Sequence, residues 1–128
     1  MITDTSFLVA LFLKDDDLHK LAIDKFNLMS EEIVVLDRVF EETFTVLTYK
    51  KGIEYGLEVL NKIESNKEFS IYKINDIEWI STIEFMKKLK RKLSFVDYLV
   101  IYFALKNHHN KILSFDKEMN KVINSIKL

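Results

Sequence analysis

Short apolar runs alternate with segments of helical periodicity along this chain, and that alternation restricts it to an α/β fold with a mostly parallel central sheet flanked by helices. Strands are expected over residues 1–4, Ile33–Leu36, 69–74 and 111–114, with 126–128 as a closing strand. Helices are expected over residues 5–13, then from Asp15–Asp17 through Leu18, Leu21, Ala22, Phe26 and Met29. A third runs from Asp37, its cap, to about Lys51, with Gly52 as its stop. Ile53, Leu57, Leu60 and Ile63 mark a fourth helix, 77–89 a fifth, Ser94 to about His108 a sixth, and Asp116 opens a short last one. Two glycines, no proline and no repeat leave nothing that reads as a linker, so residues 1–128 are expected to form a single compact domain. An apolar content of 48% suffices for its core.

Three functional classes drop out early. The absence of cysteine excludes disulfides, thiolate zinc sites and cysteine nucleophiles, and suits a reducing compartment. Residues 98–105, the longest apolar run, are too few to span a bilayer, and the apolar start is broken by Asp4 without a basic leader; a cytoplasmic protein with no membrane association is expected. With 19 basic against 20 acidic residues the net charge is −1, so any nucleic-acid binding must come from a local patch.

Four acids stand out by position. Asp4 and Asp116 fall at the carboxyl ends of expected strands, where parallel α/β sheets hold their ligands. Each also suits a helix cap, and Ser94-x-x-Asp97 resembles a capping box. Asp97, however, opens a helix that is apolar almost all round and therefore buried, where an unpartnered carboxylate is costly. On the helix after Asp37, residues at 100° intervals put Glu42 at the border of the apolar face formed by Phe40, Thr43, Phe44 and Leu47, whereas Glu41 points away. From position alone, Glu42 is equally a cleft residue or a surface residue with a part-buried stem.

These residues resemble the PIN-domain ribonucleases. The segment Ile2-Thr-Asp-Thr-Ser-Phe-Leu is similar to the family's first strand and helix, Glu42-Thr-Phe-Thr-Val-Leu to its glutamate helix, and Leu93-Ser-Phe-Val-Asp97 to its third acidic motif. Ile112-Leu-Ser-Phe-Asp116 resembles the fourth, with Ser114 where threonine is commoner. Order and spacing fit over essentially the whole chain, and the length fits the toxin nucleases of VapBC toxin–antitoxin pairs. The resemblance implies a PIN-like fold and a catalytic site in which Asp4, Glu42, Asp97 and Asp116 hold Mg²⁺ or Mn²⁺, hard ions that favour oxygen ligands. It implies Ser6 and Ser114 as groups orienting the carboxylates or their waters. The implied reaction is endonucleolytic hydrolysis of RNA that leaves a 5′-phosphate and a 3′-hydroxyl. Carboxylates this close repel one another without metal, so raised pKa values are expected.

Lys87, Lys88, Lys90, Arg91 and Lys92 read either as a solvated helix end or as a phosphate-binding rim beside Asp97. The rim is favoured because the cluster contrasts with a net acidic chain. His108 and His109 read as helix-end caps, His19 as a surface residue, Asp15–Asp17 as a cap with N-terminal charge, and Lys50 and Lys51 as helix-end cations; Trp79 has no role legible in the sequence. The toxin resemblance further implies a small antitoxin partner. The dense apolar positions Phe7, Leu8, Leu11, Phe12 and Leu13 suggest exposed apolar surface on the first two helices for docking it, and self-association when it is absent. A stand-alone nuclease of RNA maturation and a non-catalytic PIN-like binding module are the alternatives. A receiver-like domain lacks its mid-chain phosphoacceptor aspartate here.

Overall fold

The computed structural model describes residues 1–109 and 111–126. Its elements follow one another as β1 (Ile2–Thr3), α1 (Thr5–Phe12), α2 (His19–Asn27), β2 (Ile33–Leu36), α3 (Asp37–Lys51), α4 (Ile53–Ser65), β3 (Phe69–Tyr72), α5 (Asp76–Leu89), α6 (Phe95–Lys106), β4 (Ile112–Leu113) and α7 (Lys117–Ser125). The four strands form one sheet in the order β3-β2-β1-β4, and every pairing is parallel, so a helix-containing crossover separates each pair. Ile2 sits opposite both Val34 and Ile112, and Thr3 opposite Leu113, so the short β1 is clamped between two neighbours. As in parallel sheets generally, the strands read as apolar runs because helices cover them: Ile2, Ile33, Val35 and Leu36 are fully buried.

α6 packs on β1 and β4, while α3 packs on β2 and β3. Tyr98, Leu99, Val100, Ile101, Phe103 and Ala104 of α6 are all buried, which is why its sequence lacks a polar face. All four carboxyl strand ends therefore open onto one edge of the sheet, and each is followed by residues that turn into a helix.

Several local expectations need correction. Asp37 does not cap α3: the cap position is Leu36, without a side-chain bond, and the Asp37 carboxylate accepts instead from the adjacent Arg38 N–H at 2.9 Å. α2 starts at His19 rather than within Asp15–Asp17; Asp16 accepts from Leu18 N–H at 2.8 Å to form the turn before it, and Asp15 pairs with Lys51 at 2.7 Å. His19 is half-buried, its Nδ1 bonded to the Ala10 carbonyl at 2.8 Å, so it ties α2 to α1. Among the described residues, His108 and His109 cap nothing with their side chains: α6 ends at Lys106, His108 takes a left-handed φ of 56°, and the His109 ring stacks on Phe103. Ile126 is the C-cap of α7 rather than a strand residue, and the remainder of the expected closing strand lies outside the described residues. The apolar density of α1 is core, with Phe7, Leu8, Leu11 and Leu13 at most 5% exposed, because α1 packs against both α2 and α3. The expected exposed apolar surface is present on the second helix, at Leu21, and other exposed apolar side chains lie farther along the chain, among them Leu28, Tyr49, Ile53, Leu57, Ile77 and Ile80.

α3 and α4 form the most extensive helix pair among the described residues, and Gly56 lets them approach. A Cβ at Gly56 would overlap Thr48 Oγ1 and come within 3.1 Å of the Phe44 ring. Gly56→Ala should therefore lose about 1 kcal/mol in a urea melt, because overpacking of about 1–3 kcal/mol outweighs the gain of about 1 kcal/mol in helix propensity. A more stable variant would mean that the two helices separate freely.

Candidate active site

Asp4 lies at the end of β1 and is 3% exposed. Its backbone N–H donates to the Leu113 carbonyl at 3.0 Å, continuing the β1–β4 pairing, and its carboxylate caps α1 by accepting from Phe7 N–H at 3.1 Å. Ser6 donates its hydroxyl to both carboxylate oxygens, at 2.8 and 3.0 Å, and Ser114 donates to Oδ2 from the end of β4. These two serines are in turn held in place: Phe115 N–H donates to Ser6 Oγ at 2.8 Å and Asp116 N–H to Ser114 Oγ at 3.1 Å. The hydroxyls that touch Asp4 thus also set the turn that delivers Asp116.

Asp116 caps α7, accepting from Met119 N–H at 2.9 Å. Asp97 completes a capping box at the start of α6: its N–H donates to Ser94 Oγ at 3.1 Å while its carboxylate accepts from Ser94 N–H at 3.3 Å. Glu42, one helical turn before Val46 on α3, is half-buried; Glu41 is exposed and pairs with Arg38 at 3.4 Å. Asp4, Glu42, Asp97 and Asp116 line one cleft of about 410 Å³ together with Thr5, Ser6, Val9, Val46 and Ser94. It opens at the carboxyl ends of β1 and β4, in keeping with the general rule for parallel sheets.

The acids sense one another. Burial pushes the Asp4 carboxyl up to about 6, against the hydrogen bonds from Ser114, Phe7 N–H and Ser6, and the charge of Asp97 adds to the rise. Burial also raises Asp97, opposed by its bonds with Ser94 and reinforced by the charges of Asp116 and Glu42. Among the described residues no three His, Asp or Glu side chains are drawn together tightly enough to form a ready-made ion cage. The carboxylates are ranged around the cleft, and their donor set is entirely oxygen, the type that suits a hard divalent cation.

Several contributors were not legible in the sequence. Asn120 of α7 donates to the Ser114 carbonyl at 3.1 Å, locking the β4 end, and nothing in its spacing sets it apart. Thr5 Oγ1 is buried at the cleft wall with no hydrogen-bond partner among the described residues. Tyr98, buried next to Asp97, accepts from Arg91 N–H at 2.7 Å and donates to the Arg91 carbonyl, so its hydroxyl anchors the loop between α5 and α6. A tyrosine hydroxyl inside an apolar helix needs a partner, and that need was the available signal. The basic cluster occupies this loop and the end of α5, exposed throughout; Lys87 pairs with Glu84 at 3.2 Å, and the loop runs into Ser94 at the cleft.

A family model, that of the PIN domain, matches residues 1–124. The chain belongs to the PIN domain family. Its fold also matches a solved structure, the VapC20 toxin of Mycobacterium tuberculosis, a sarcin–ricin loop cleaving toxin. The TM-score is 0.86 at 20% identity, over 94% of this chain and 93% of that one, a likeness of fold. No curated protein sequence matches the chain. In this PIN domain the acids of the cleft are separated by up to 112 positions along the chain (116 − 4), and the parallel sheet brings them to one edge.

The raised Asp4 pKa has a consequence for stability. The native carboxyl, at about 6, binds its proton more tightly than the unfolded one at 3.8. Its contribution is complete below pH 4 and is lost as pH rises through 6. In chelator, Asp4→Asn should flatten that slope and raise stability at pH 7 by about 2 kcal/mol, since the amide keeps an acceptor for Phe7 N–H without a buried charge. Thermal melts from pH 4 to 8 measure both effects; a destabilised Asn variant at pH 7 would make the carboxylate a simple cap.

Proposed function

We propose that this PIN domain is a single-domain, divalent-metal-dependent endoribonuclease that acts in the cytoplasm as the toxin of a toxin–antitoxin pair. The observation that carries the reading is the convergence of Asp4, Glu42, Asp97 and Asp116, from four separate elements, on one cleft. Caps serving stability alone have no reason to converge, and Glu42, in the middle of α3, caps nothing. The fold likeness to a sarcin–ricin loop cleaving toxin supports RNA as the substrate class and toxin as the role.

Asp4, Glu42, Asp97 and Asp116 would hold Mg²⁺ or Mn²⁺, which when bound supplies charge neutralisation of the phosphodiester, a lowered pKa for water and stabilisation of the departing oxygen. The chain's own residues do the rest. Ser6 and Ser114 fix the Asp4 carboxylate so that it needs little reorganisation to act as a ligand. Ser94 holds Asp97 through the capping box, and Asn120 holds the strand end that carries Ser114. Lys88, Lys90, Arg91 and Lys92, on or next to the loop pinned by Tyr98, meet the phosphate backbone and offset the repulsion between RNA and the acids. Phosphodiester cleavage then leaves a 5′-phosphate and a 3′-hydroxyl.

Asp97→Asn and Asp4→Asn should each lower Mn²⁺- or Mg²⁺-dependent cleavage of a structured RNA by at least a hundredfold with the fold retained by circular dichroism. Full activity in both variants, or in excess chelator, would overturn the metal-site reading.

The toxin role entails a small antitoxin. α1 contributes little docking surface, since its apolar residues are core apart from the part-buried Phe12; Leu21 of α2, with Tyr49, Ile53 and Leu57 around the α3–α4 corner, offers exposed apolar area. Purification from the native host followed by native mass measurement should find a heteromeric complex, and the chain freed of its partner should self-associate. A lone monomer with unrestrained nuclease activity would remove the toxin role and leave the nuclease.

A further inference from the structure

A second cleft, of about 260 Å³, lies on the same edge of the sheet, lined by Arg38, Ile74, Asn75, Asp76 and Trp79. Arg38 follows the end of β2 and Ile74 and Asn75 follow the end of β3, just as Asp4 and Asp116 follow β1 and β4. With the order β3-β2-β1-β4 and strands about 4.8 Å apart, the two clefts are displaced by roughly 10 Å along one line. α3 lines both of them, and a ring contact links the second to the start of α6. Arg38 and Glu42 are four residues apart on α3 and so lie on one face of that helix. Phe95, whose ring meets Trp79 at 4.5 Å between centroids, is next to Ser94 and two residues before Asp97 on α6.

The chemistry of this cleft is that of a nucleotide subsite. The Trp79 indole is 38% exposed, with the Phe95 ring 4.5 Å from it between centroids and the Arg38 guanidinium lying over its ring at 5.2 Å in a cation–π contact. Arg38 Nε is buried with no hydrogen-bond partner among the described residues, and the ion pair of Arg38 with the exposed Glu41 is long, at 3.4 Å. Among the described residues the guanidinium is thus held only by a cation–π contact and a long, exposed ion pair, both of which a phosphate can outcompete. Asn75 is committed to capping α5 through Glu78 N–H at 2.8 Å; Asp76 is exposed and offers a carboxylate to N–H donors on a base edge.

We propose that the Arg38–Trp79 cleft binds a nucleotide of single-stranded RNA next to the scissile position, its phosphate drawing the Arg38 guanidinium off the Trp79 ring and its base stacking in that place. The assignment rests on the nuclease reading and names a substrate subsite for it. Stacking on an aromatic and a phosphate contact from arginine are the two recurrent means of holding unpaired nucleotides. The strand then runs along the carboxyl edge of the sheet, from β3 towards β4, and crosses the acids.

Trp79 is the only tryptophan in the chain, so its emission reports the subsite directly. Asp97→Asn protein, in which cleavage is blocked, is titrated with an unlabelled single-stranded RNA pentamer and followed by tryptophan fluorescence. Affinity is measured separately by anisotropy of the same pentamer carrying a 5′ dye. Stacking predicts saturable quenching at the same midpoint as the anisotropy. Arg38→Met and Trp79→Leu should each weaken binding about tenfold, and Trp79→Phe, which keeps a stacking ring, less than threefold. If Trp79→Leu does not fold, the quenching and the Arg38→Met affinity still decide. RNA bound with unchanged Trp79 emission and unchanged affinity in Arg38→Met would overturn the subsite while leaving the nuclease intact. Failure of the wild-type protein to bind or cleave RNA in Mn²⁺ would overturn both.

Discussion

The buried carboxylate of Asp4 is the interaction on which the architecture of the carboxyl edge depends. β1 is only two residues long, yet it is the inner strand that joins β2 to β4, and Asp4 ends it. Hydrogen bonds from Phe7 N–H, Ser6 and Ser114 bind this carboxylate to the first turn of α1 and to the end of β4. Together they offset much of the cost of removing a charge from water but not all of it, and the carboxyl stays raised to about 6. A domain that keeps an anion in such a place, with Asp97 close enough to raise it further, is predisposed to accept positive charge there.

Capping and convergence on one cleft come from a single geometry in this chain. Asp4 and Asp116 are N-caps and Asp97, the third residue of α6, closes a capping box, so three helices direct their N-termini at the same cleft. The partial positive charge of a helix start steadies a carboxylate placed there, which lets several acids be held near one another before any cation arrives. A cap explains why each aspartate is locally stable; it does not explain why all of them face a single space. Glu42 breaks the pattern, entering the lining from the middle of α3.

The periodicities that mark helices and strands are local, so most elements were legible: β2 has the expected bounds, and α1, α3 and α5 differ by a residue or so at their ends. Misjudged features were those decided by contacts between elements. His19 and Asp15 lie where helix-start signals are strong, but their partners, the Ala10 carbonyl and Lys51, come from other elements. The first two helices were expected to leave an apolar docking surface; α2 and α3 cover most of α1, Leu21 of α2 stays exposed, and further exposed apolar residues appear where helices turn corners, as at Tyr49 and Ile53. Asp37 had the residue type of a cap and lost the position by one residue to Leu36, whose extended backbone ends β2 directly against the helix.

By itself the sequence determined the α/β class, the parallel sheet and the identity of the four acids, because each depends on residue spacing within one element or on a short motif around one residue. Only the tertiary structure decided that those acids share a cleft, that Asn120 and Tyr98 hold its edges, and that Arg38, Trp79 and Phe95 meet beside it. Trp79 shows the division most clearly. Its neighbours lie 41 positions earlier (79 − 38) and 16 later (95 − 79), and nothing within its own helix distinguishes it from a packing residue. The strand order that sets β3 beside β2, and so α5 beside α3, is a property of long-range pairing, which no local pattern encodes.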